Sequence, residues 1–229
     1  MVRWATFDCY GTLIDWDGGI RTELQRVFGD ERAPELLERY HGLEPELEAD
    51  GSRSYREVMT EAMRVLGAPF GAEHGLAESL PSWRAFPEVR GSLEELKSRG
   101  WMLGVLSNTD ADFIAASQVQ IGVSFDEVVV AQELGSYKPS HRHWDEFFAR
   151  TRASRDTHVH VAASLFHDSA PCNELGLRSV WINRVGERAD GIVPTRELPD
   201  LFALPETLDE LVPEAQCVRC ALVAPTAGR

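Results

Sequence analysis

Phe7-Asp8-Cys9-Tyr10-Gly11-Thr12-Leu13 closes an apolar run that begins at Val2, and its reading decides the fold. A run rich in β-branched and aromatic residues predicts a buried strand. Asp8 ends that strand, and Gly11 supplies the backbone freedom to turn sharply away from it. Open α/β sheets gather their ligands at the carboxyl ends of the strands. Asp8 is therefore expected at a site. A carboxylate there serves as nucleophile, metal ligand or structural acceptor, and the rest of the chain has to choose.

Downstream, from Asp15 to about Trp83, the pattern is helical. Ile20, Leu24, Val27 and Phe28 recur at helical spacing, as do Leu36, Leu37, Tyr40, Leu43 and Leu47. Tyr55, Val58, Met59, Ala62, Met63 and Leu66 form a third stripe that Gly67 and Pro69 end. Leu76, Leu80 and Trp83 suggest a fourth. These stripes read as the core of a small helical bundle, not as a cofactor site. After Pro87 helix and strand alternate. Strands are expected at Trp101 to Leu106, Val128 to Val130, His158 to Ala163 and Ser179 to Ile182. Asp110 is placed to cap the helix from Ala111, and Ser140 the helix bearing Trp144, Phe147 and Phe148. Such alternation implies an α/β fold: a Rossmann-like, mainly parallel sheet with helices on both faces. Residues 1–14 with 85–229 would form this core, and 15–84 a helical cap inserted after the first strand.

Composition bounds the partners. With 37 acidic against 23 basic residues the formal charge is −14. That argues against nucleic acid or an anionic membrane as main partner and leaves a small anionic substrate open. No signal peptide or membrane span is legible. Cys9, Cys172, Cys217 and Cys220 are too scattered for a disulfide framework, so a cytoplasmic location is expected. Cys217 and Cys220 form a C-x-x-C with no second ligand pair, which reads as incidental thiols.

Four strand ends converge on one place: Asp8, then Ser107-Asn108, then Lys138, then Ser164 to Asp168. In this order, with a helical insertion after the first, they resemble the four motifs of the haloacid dehalogenase superfamily over nearly the whole chain. The resemblance implies that Asp8 is a nucleophile forming a covalent intermediate. It implies that Ser107 and Asn108 bind the substrate's anionic or leaving group, that Lys138 neutralises charge around Asp8, and that Asp168 is the last-motif acid. A fixed lysine under a closing cap orients a carboxylate without protonating it.

Two positions choose the branch. Magnesium-dependent phosphatases of the superfamily carry a second aspartate two residues after the nucleophile, where this chain has Tyr10. Ala163 stands where their fourth motif has its first acid. Tyr10 instead resembles the 2-haloacid dehalogenase branch, as does Gly176-Leu177-Arg178-Ser179-Val180-Trp181-Ile182-Asn183-Arg184. The implied reaction is displacement of halide from a small 2-halocarboxylate by Asp8, with hydrolysis of the resulting ester by water that Asp168 positions. No metal or other cofactor is expected. Magnesium enters only under the alternative of a phosphatase, and a non-catalytic binding protein on the same scaffold is the third reading. By resemblance Arg39 is the substrate-binding arginine of the cap, and Thr12 helps to hold the nucleophile. Leu165 and Trp144 depart from the branch, which carries an asparagine and a tyrosine there. His141, His143, His158 and His160 are expected at the surface, with Asp15 and Asp17 as turn and capping residues. A homodimer through the cap is compatible with the branch, and the helical faces do not distinguish it from a monomer.

Overall fold

The computed structural model describes residues 2–49 and 51–214. Its frame is a six-stranded parallel sheet of β1 (Arg3–Phe7), β2 (Trp101–Ser107), β3 (Glu127–Val130), β4 (His158–Ala162), β5 (Arg178–Ile182) and β6 (Arg196–Leu198). The spatial order is β3-β2-β1-β4-β5-β6, so the first strand lies in the middle. Every residue of β1 and β4 is buried. That follows from helices covering both faces of a parallel sheet.

Between β1 and the rest of the sheet stand α1 (Trp16–Phe28), α2 (Ala33–Glu48), α3 (Tyr55–Val65) and the short α4 (Gly75–Ser79). The apolar stripes of the sequence form their shared interior, with Ile20, Leu24, Leu36, Tyr40, Val58, Met59 and Met63 buried. The root of this insertion is a pair of crossing segments. Ile14 bridges Ala85, the Asp15 amide donates to the Arg84 carbonyl, and the Phe86 amide donates to that of Leu13. Asp15 caps α1, accepting from the Gly18 amide at 3.0 Å. The remaining helices, α5 (Val89–Ser98), α6 (Ala111–Ile121), α7 (Ala131–Leu134), α8 (Arg142–Thr151), α9 (Ala170–Leu175) and α10 (Leu204–Leu211), alternate with the strands.

Several local expectations are corrected. Asp110 sits at the head of α6 but makes no capping bond there. Its carboxylate instead accepts the Tyr55 and Arg56 amides at 2.9 and 3.0 Å, satisfying the first turn of α3 across the boundary. Ser54 and Glu57 complete that turn with a capping box. Ser140 does not cap α8, which begins after His141. His143, His158 and His160 are buried, not superficial. Alternate residues of a strand reach opposite faces, and in this sheet neither face meets water. β6 carries no strand pattern legible in the sequence; it is a short, exposed edge. Cys217 and Cys220 lie outside the described residues. Among the described residues no helix is long and apolar enough to cross a membrane.

Asp110 ties the insertion to the core through two charge-assisted bonds, one buried and one partly buried. Asp110→Ala is expected to destabilise the protein by about 1–2 kcal/mol, read as a lower urea midpoint with unchanged slope. An unchanged midpoint would show that solvent replaces the carboxylate without loss.

Candidate active site

The register of the central strands assembles the site. Phe7 pairs with Val105 on β2 and with Val161 on β4. Asp8, Ser107 and Ala163 therefore emerge at one edge, where Gly11, at φ +86°, lets the chain turn away. The Asp8 amide continues the ladder by donating to the Val161 carbonyl at 3.0 Å.

Lys138 enters this edge from the loop after α7. Its ammonium donates to Asp8 Oδ1 at 2.9 Å, to Asp168 Oδ1 at 2.7 Å and to the Leu106 carbonyl at 2.9 Å. An ammonium has three donors, so none is left over. The Lys138 backbone is held as firmly. Its amide donates to Asn108 Oδ1 at 2.6 Å, and its carbonyl accepts from Asn108 Nδ2 at 3.0 Å. Burial disfavours the charge on Lys138, but the Asp168 and Asp8 carboxylates outweigh it and hold the ammonium protonated. Burial likewise opposes ionisation of Asp168. The Lys138 charge and the His160 bond overcome it and keep the carboxyl below its usual range.

Thr12 bonds the nucleophile candidate directly. Its hydroxyl donates to Asp8 Oδ2 at 2.8 Å and accepts from the Ala163 amide at 2.8 Å. Both Asp8 oxygens thus have a fixed donor. Asp168 is different: Oδ1 takes Lys138 and His160, while its buried Oδ2 has no hydrogen-bond partner. The buried Ser107 hydroxyl is also unpartnered. Such orphans at a cleft floor are available to a substrate or a reacting water.

Beneath Asp168 runs a polar chain that sequence reasoning missed. His160 Nε2 lies 2.9 Å from Asp168 Oδ1, Thr6 Oγ1 lies 2.8 Å from His160 Nδ1, and His158 Nε2 lies 2.8 Å from the same hydroxyl. Thr6 has one proton to give. If it donates to His160, then His158 donates to Thr6 and His160 to Asp168, one consistent set of tautomers. Burial and the His160 charge lower the His158 pKa. His143 donates to the Ser107 carbonyl at 3.2 Å, and burial followed by the Lys138 charge lowers its pKa to about 3. These histidines are structural donors to the site, and only their places in a fully covered sheet reveal it.

Above the floor lies a cleft of about 540 Å³, lined from the sheet by Asp8, Ser107, Lys138 and Asp168 and from the insertion by Trp16, His41, Glu44, Glu48 and Tyr55. The structure brings Asp8, Thr12, Ser107, Asn108, Lys138 and Asp168 together. Tyr10 joins them through its ring, which stacks on Tyr55; its hydroxyl is 3.0 Å from Ser117 on α6. Arg39 does not join them. It lies on the exposed face of α2 and is not among the cleft residues. The helical phase decides this: the face toward Asp8 carries Glu44 and Glu48, and Arg39 falls outside it.

Glu44 and Glu48, one turn apart on α2, are the residues most clearly missed. They are 9% and 5% exposed. The Tyr55 and Tyr40 hydroxyls donate to Glu44 Oε1 at 2.7 and 3.2 Å, and Asn108 Nδ2 donates to Glu48 Oε2 at 3.1 Å. Burial raises the Glu44 pKa to about 7 against the pull of both tyrosines. Burial and then the charge of Glu44 push Glu48 well above its usual range. The available signal was two acids falling on the buried stripe of an amphipathic helix, after Leu37 and Tyr40. Tyr10 and Ala163 offer no carboxylate to an ion. Among the described residues no group of three or more His, Cys, Asp or Glu is arranged to hold an ion.

Comparison with known proteins gives the chain's family and fold. A family model described as haloacid dehalogenase-like hydrolase matches residues 6–182. The (S)-2-haloacid dehalogenase 4A of Burkholderia cepacia is 26% identical over 223 residues, covering 93% of this chain and 94% of its own. A glyceraldehyde 3-phosphate phosphatase of Methanothermobacter thermautotrophicus is 30% identical over 102 residues, covering 44% of this chain and 45% of its own. The crystal structure of an L-2-haloacid dehalogenase superposes with a TM-score of 0.82 at 22% identity, over 91% of this chain and 99% of that one.

The buried acids make stability depend on pH in an unusual direction. The folded state keeps a proton on Glu44 up to about pH 7, whereas an unfolded glutamate releases it near its ordinary value of about 4.3. Between these limits the folded state binds more protons, so stability falls as pH rises. Glu44→Gln is expected to raise stability by on the order of 2 kcal/mol above neutrality and by nothing below about pH 4. Thermal melts across that range test it. Equal gains at both ends would mean that the glutamine acts through packing.

Proposed function

The chain belongs to the haloacid dehalogenase-like hydrolases, and from that premise we propose that it is a metal-independent hydrolase of the 2-haloacid dehalogenase type. One observation carries the reading: Asp8 and Asp168 share a single buried ammonium at 2.9 and 2.7 Å beneath an open cleft. Lys138 donates to Asp8 Oδ1 and aims the carboxylate, which a weak nucleophile needs. An Asp8 oxygen attacks the halogen-bearing carbon. The new C–O bond forms as the carbon–halogen bond breaks, and halide leaves with the bonding pair. Water then adds to the Asp8 carbonyl carbon of the ester, its proton passing to Asp168 Oδ2, the oxygen left without a protein partner. Collapse expels the alkoxide, which takes the proton of the added hydroxyl to give a 2-hydroxy acid. The Asp8 carboxylate is restored, and Asp168 releases its proton to solvent.

The substrate carboxylate is assigned to Ser107, whose hydroxyl is free. Asn108 is a poorer candidate than the motif implies, because Nδ2 already serves Glu48 and the Lys138 carbonyl. Halide is a good leaving group and carries a single charge, so the route makes no demand for a divalent cation. A phosphatase reading is disfavoured by the donor set. Tyr10 turns its hydroxyl to Ser117, and Ala163 is apolar, at the two positions where that branch supplies acids. Leu165 and Phe166 line the cleft with apolar surface that suits an alkyl chain.

Halide release from a panel of 2-chloro acids in the presence of chelator is the direct test. Asp8→Asn is expected to lose more than about a thousandfold in rate. Asp168→Asn should instead accumulate an ester on Asp8, visible as added mass on the peptide containing it. Phosphate release that appears only with magnesium, with no halide released from any 2-chloro acid, would overturn the proposal.

A further inference from the structure

The cap side of the cleft presents carboxyl groups, not cations, to a short, bare carboxylate. Glu44 and Glu48 face it, with Asp17 and Glu187 at its mouth. The bases that line it are committed elsewhere. Lys138 has all three donors placed. Arg184, which also lines the cleft, pairs with Glu88 at 2.8 Å, donates to the Thr12 carbonyl at 2.8 Å and lies 3.6 Å over the Phe86 ring, and its buried Nε has no partner. His41 is paired with Asp17 at 2.8 Å and stacked on Trp16.

Burial, and for Glu48 the neighbouring Glu44 one helical turn away, opposes ionisation of the two acids in the free protein. Glu44 is nonetheless built into a rigid mount. Trp16 Nε1 donates to the Tyr55 hydroxyl at 3.0 Å, and that hydroxyl donates to Glu44 Oε1 together with Tyr40. Two donors on one oxygen fix the carboxylate plane, and among the described residues no donor is paired with Oε2. The second independent sign of a ligand is at the floor, where Ser107, a fully buried residue of the same cleft lining, has an unpartnered hydroxyl. The cleft therefore offers a donor at one end and fixed acceptors at the other, with Tyr55 and Trp16 supplying aromatic surface between. Carboxylates beside aromatic rings are what a desolvated ammonium selects. Its volume of about 540 Å³ falls in the range of pockets for ligands larger than a three-carbon acid.

We propose that the substrate is zwitterionic: a carboxylate-bearing chain whose far end carries an ammonium that docks on Glu44 and Glu48. This deepens the hydrolase reading by naming the substrate class, and it rests on that reading for the chemistry at Asp8 but not for the binding. The two buried acids, destabilising in the free protein, then become the selectivity device. A bare alkyl acid leaves them unpaired and pushes its own apolar end against them.

Binding and turnover are tested separately. Titration of the full chain with 6-aminohexanoate, hexanoate and hexylamine, by calorimetry at pH 8, reads the cap end without any reaction. 6-Aminohexanoate is expected to bind about tenfold or more tighter than hexanoate, the worth of one desolvated ion pair. Glu44→Gln and Glu48→Gln should each reduce that preference, while affinity for hexanoate holds or improves. Hexanoate binding as tightly as 6-aminohexanoate, or a preference that neither variant moves, overturns the proposal. In turnover, halide release from amino-terminated 2-chloro acids should exceed that from the alkyl acids of equal length in kcat/KM. Amine-selective binding without halide release from any of them upholds the ammonium site and sinks the dehalogenase reading instead.

Discussion

One ammonium holds the site together. Lys138 Nζ touches Asp8 at the end of β1, the Leu106 carbonyl on β2 and Asp168 in the turn after β4. Three segments far apart in sequence are thus bound to one buried charge. Removing two carboxylates from water is expensive unless a counter-charge with good geometry accompanies them. Lys138 is that counter-charge, and it is 2% exposed. The clamp of Asn108 on both the amide and the carbonyl of Lys138 follows from the same requirement, since a misplaced ammonium would leave both acids unpaired.

The polar chain from Asp168 through His160 and Thr6 to His158 extends this logic into the sheet. A covered parallel sheet usually interposes aliphatic side chains at such positions. Here His160 fixes the acid from below while Lys138 fixes it from the side, and only Oδ2 faces unsatisfied space. Trp144 and Phe147 pack edge-on or tilted over the two histidines and keep water from that chain. The acid is oriented by contacts that never touch a substrate.

Floor and roof of the cleft are opposites in electrostatic design. At the floor every charge has a partner at hydrogen-bonding distance, and only Asp168 Oδ2 and the Ser107 hydroxyl are left without one. At the roof Glu44 and Glu48 are buried with neutral donors only, and their ordinary ionisation is suppressed by that burial. Groups held at a cost to stability concentrate where binding or chemistry uses them. Asp110 secures the roof to the floor by holding the first turn of α3, so this contrast sits within one tethered unit.

Five of the six strands, the inserted helices and the residues of the cleft floor were legible in the sequence. Strand ends are written locally, in apolar runs cut off by Asp8, Ser107 or a turn, and parallel topology carries those ends to one edge without further information. The places of Lys138 and Thr12 beside Asp8 were legible through the resemblance, because motif order substitutes for distance; that Lys138 also pairs with Asp168 was not. Tertiary structure alone decided the rest. Arg39 and Glu44 differ by little more than one turn of α2, and which of them faces Asp8 depends on how that helix is rotated against α1 and α3. His158 and His160 look superficial along a strand until helices are known to cover both faces. Asp110 looks like a cap for its own helix until α3 arrives to compete for it. In each case the side chain's partner lies on an element whose orientation is fixed by packing over the whole core, and no local pattern encodes it.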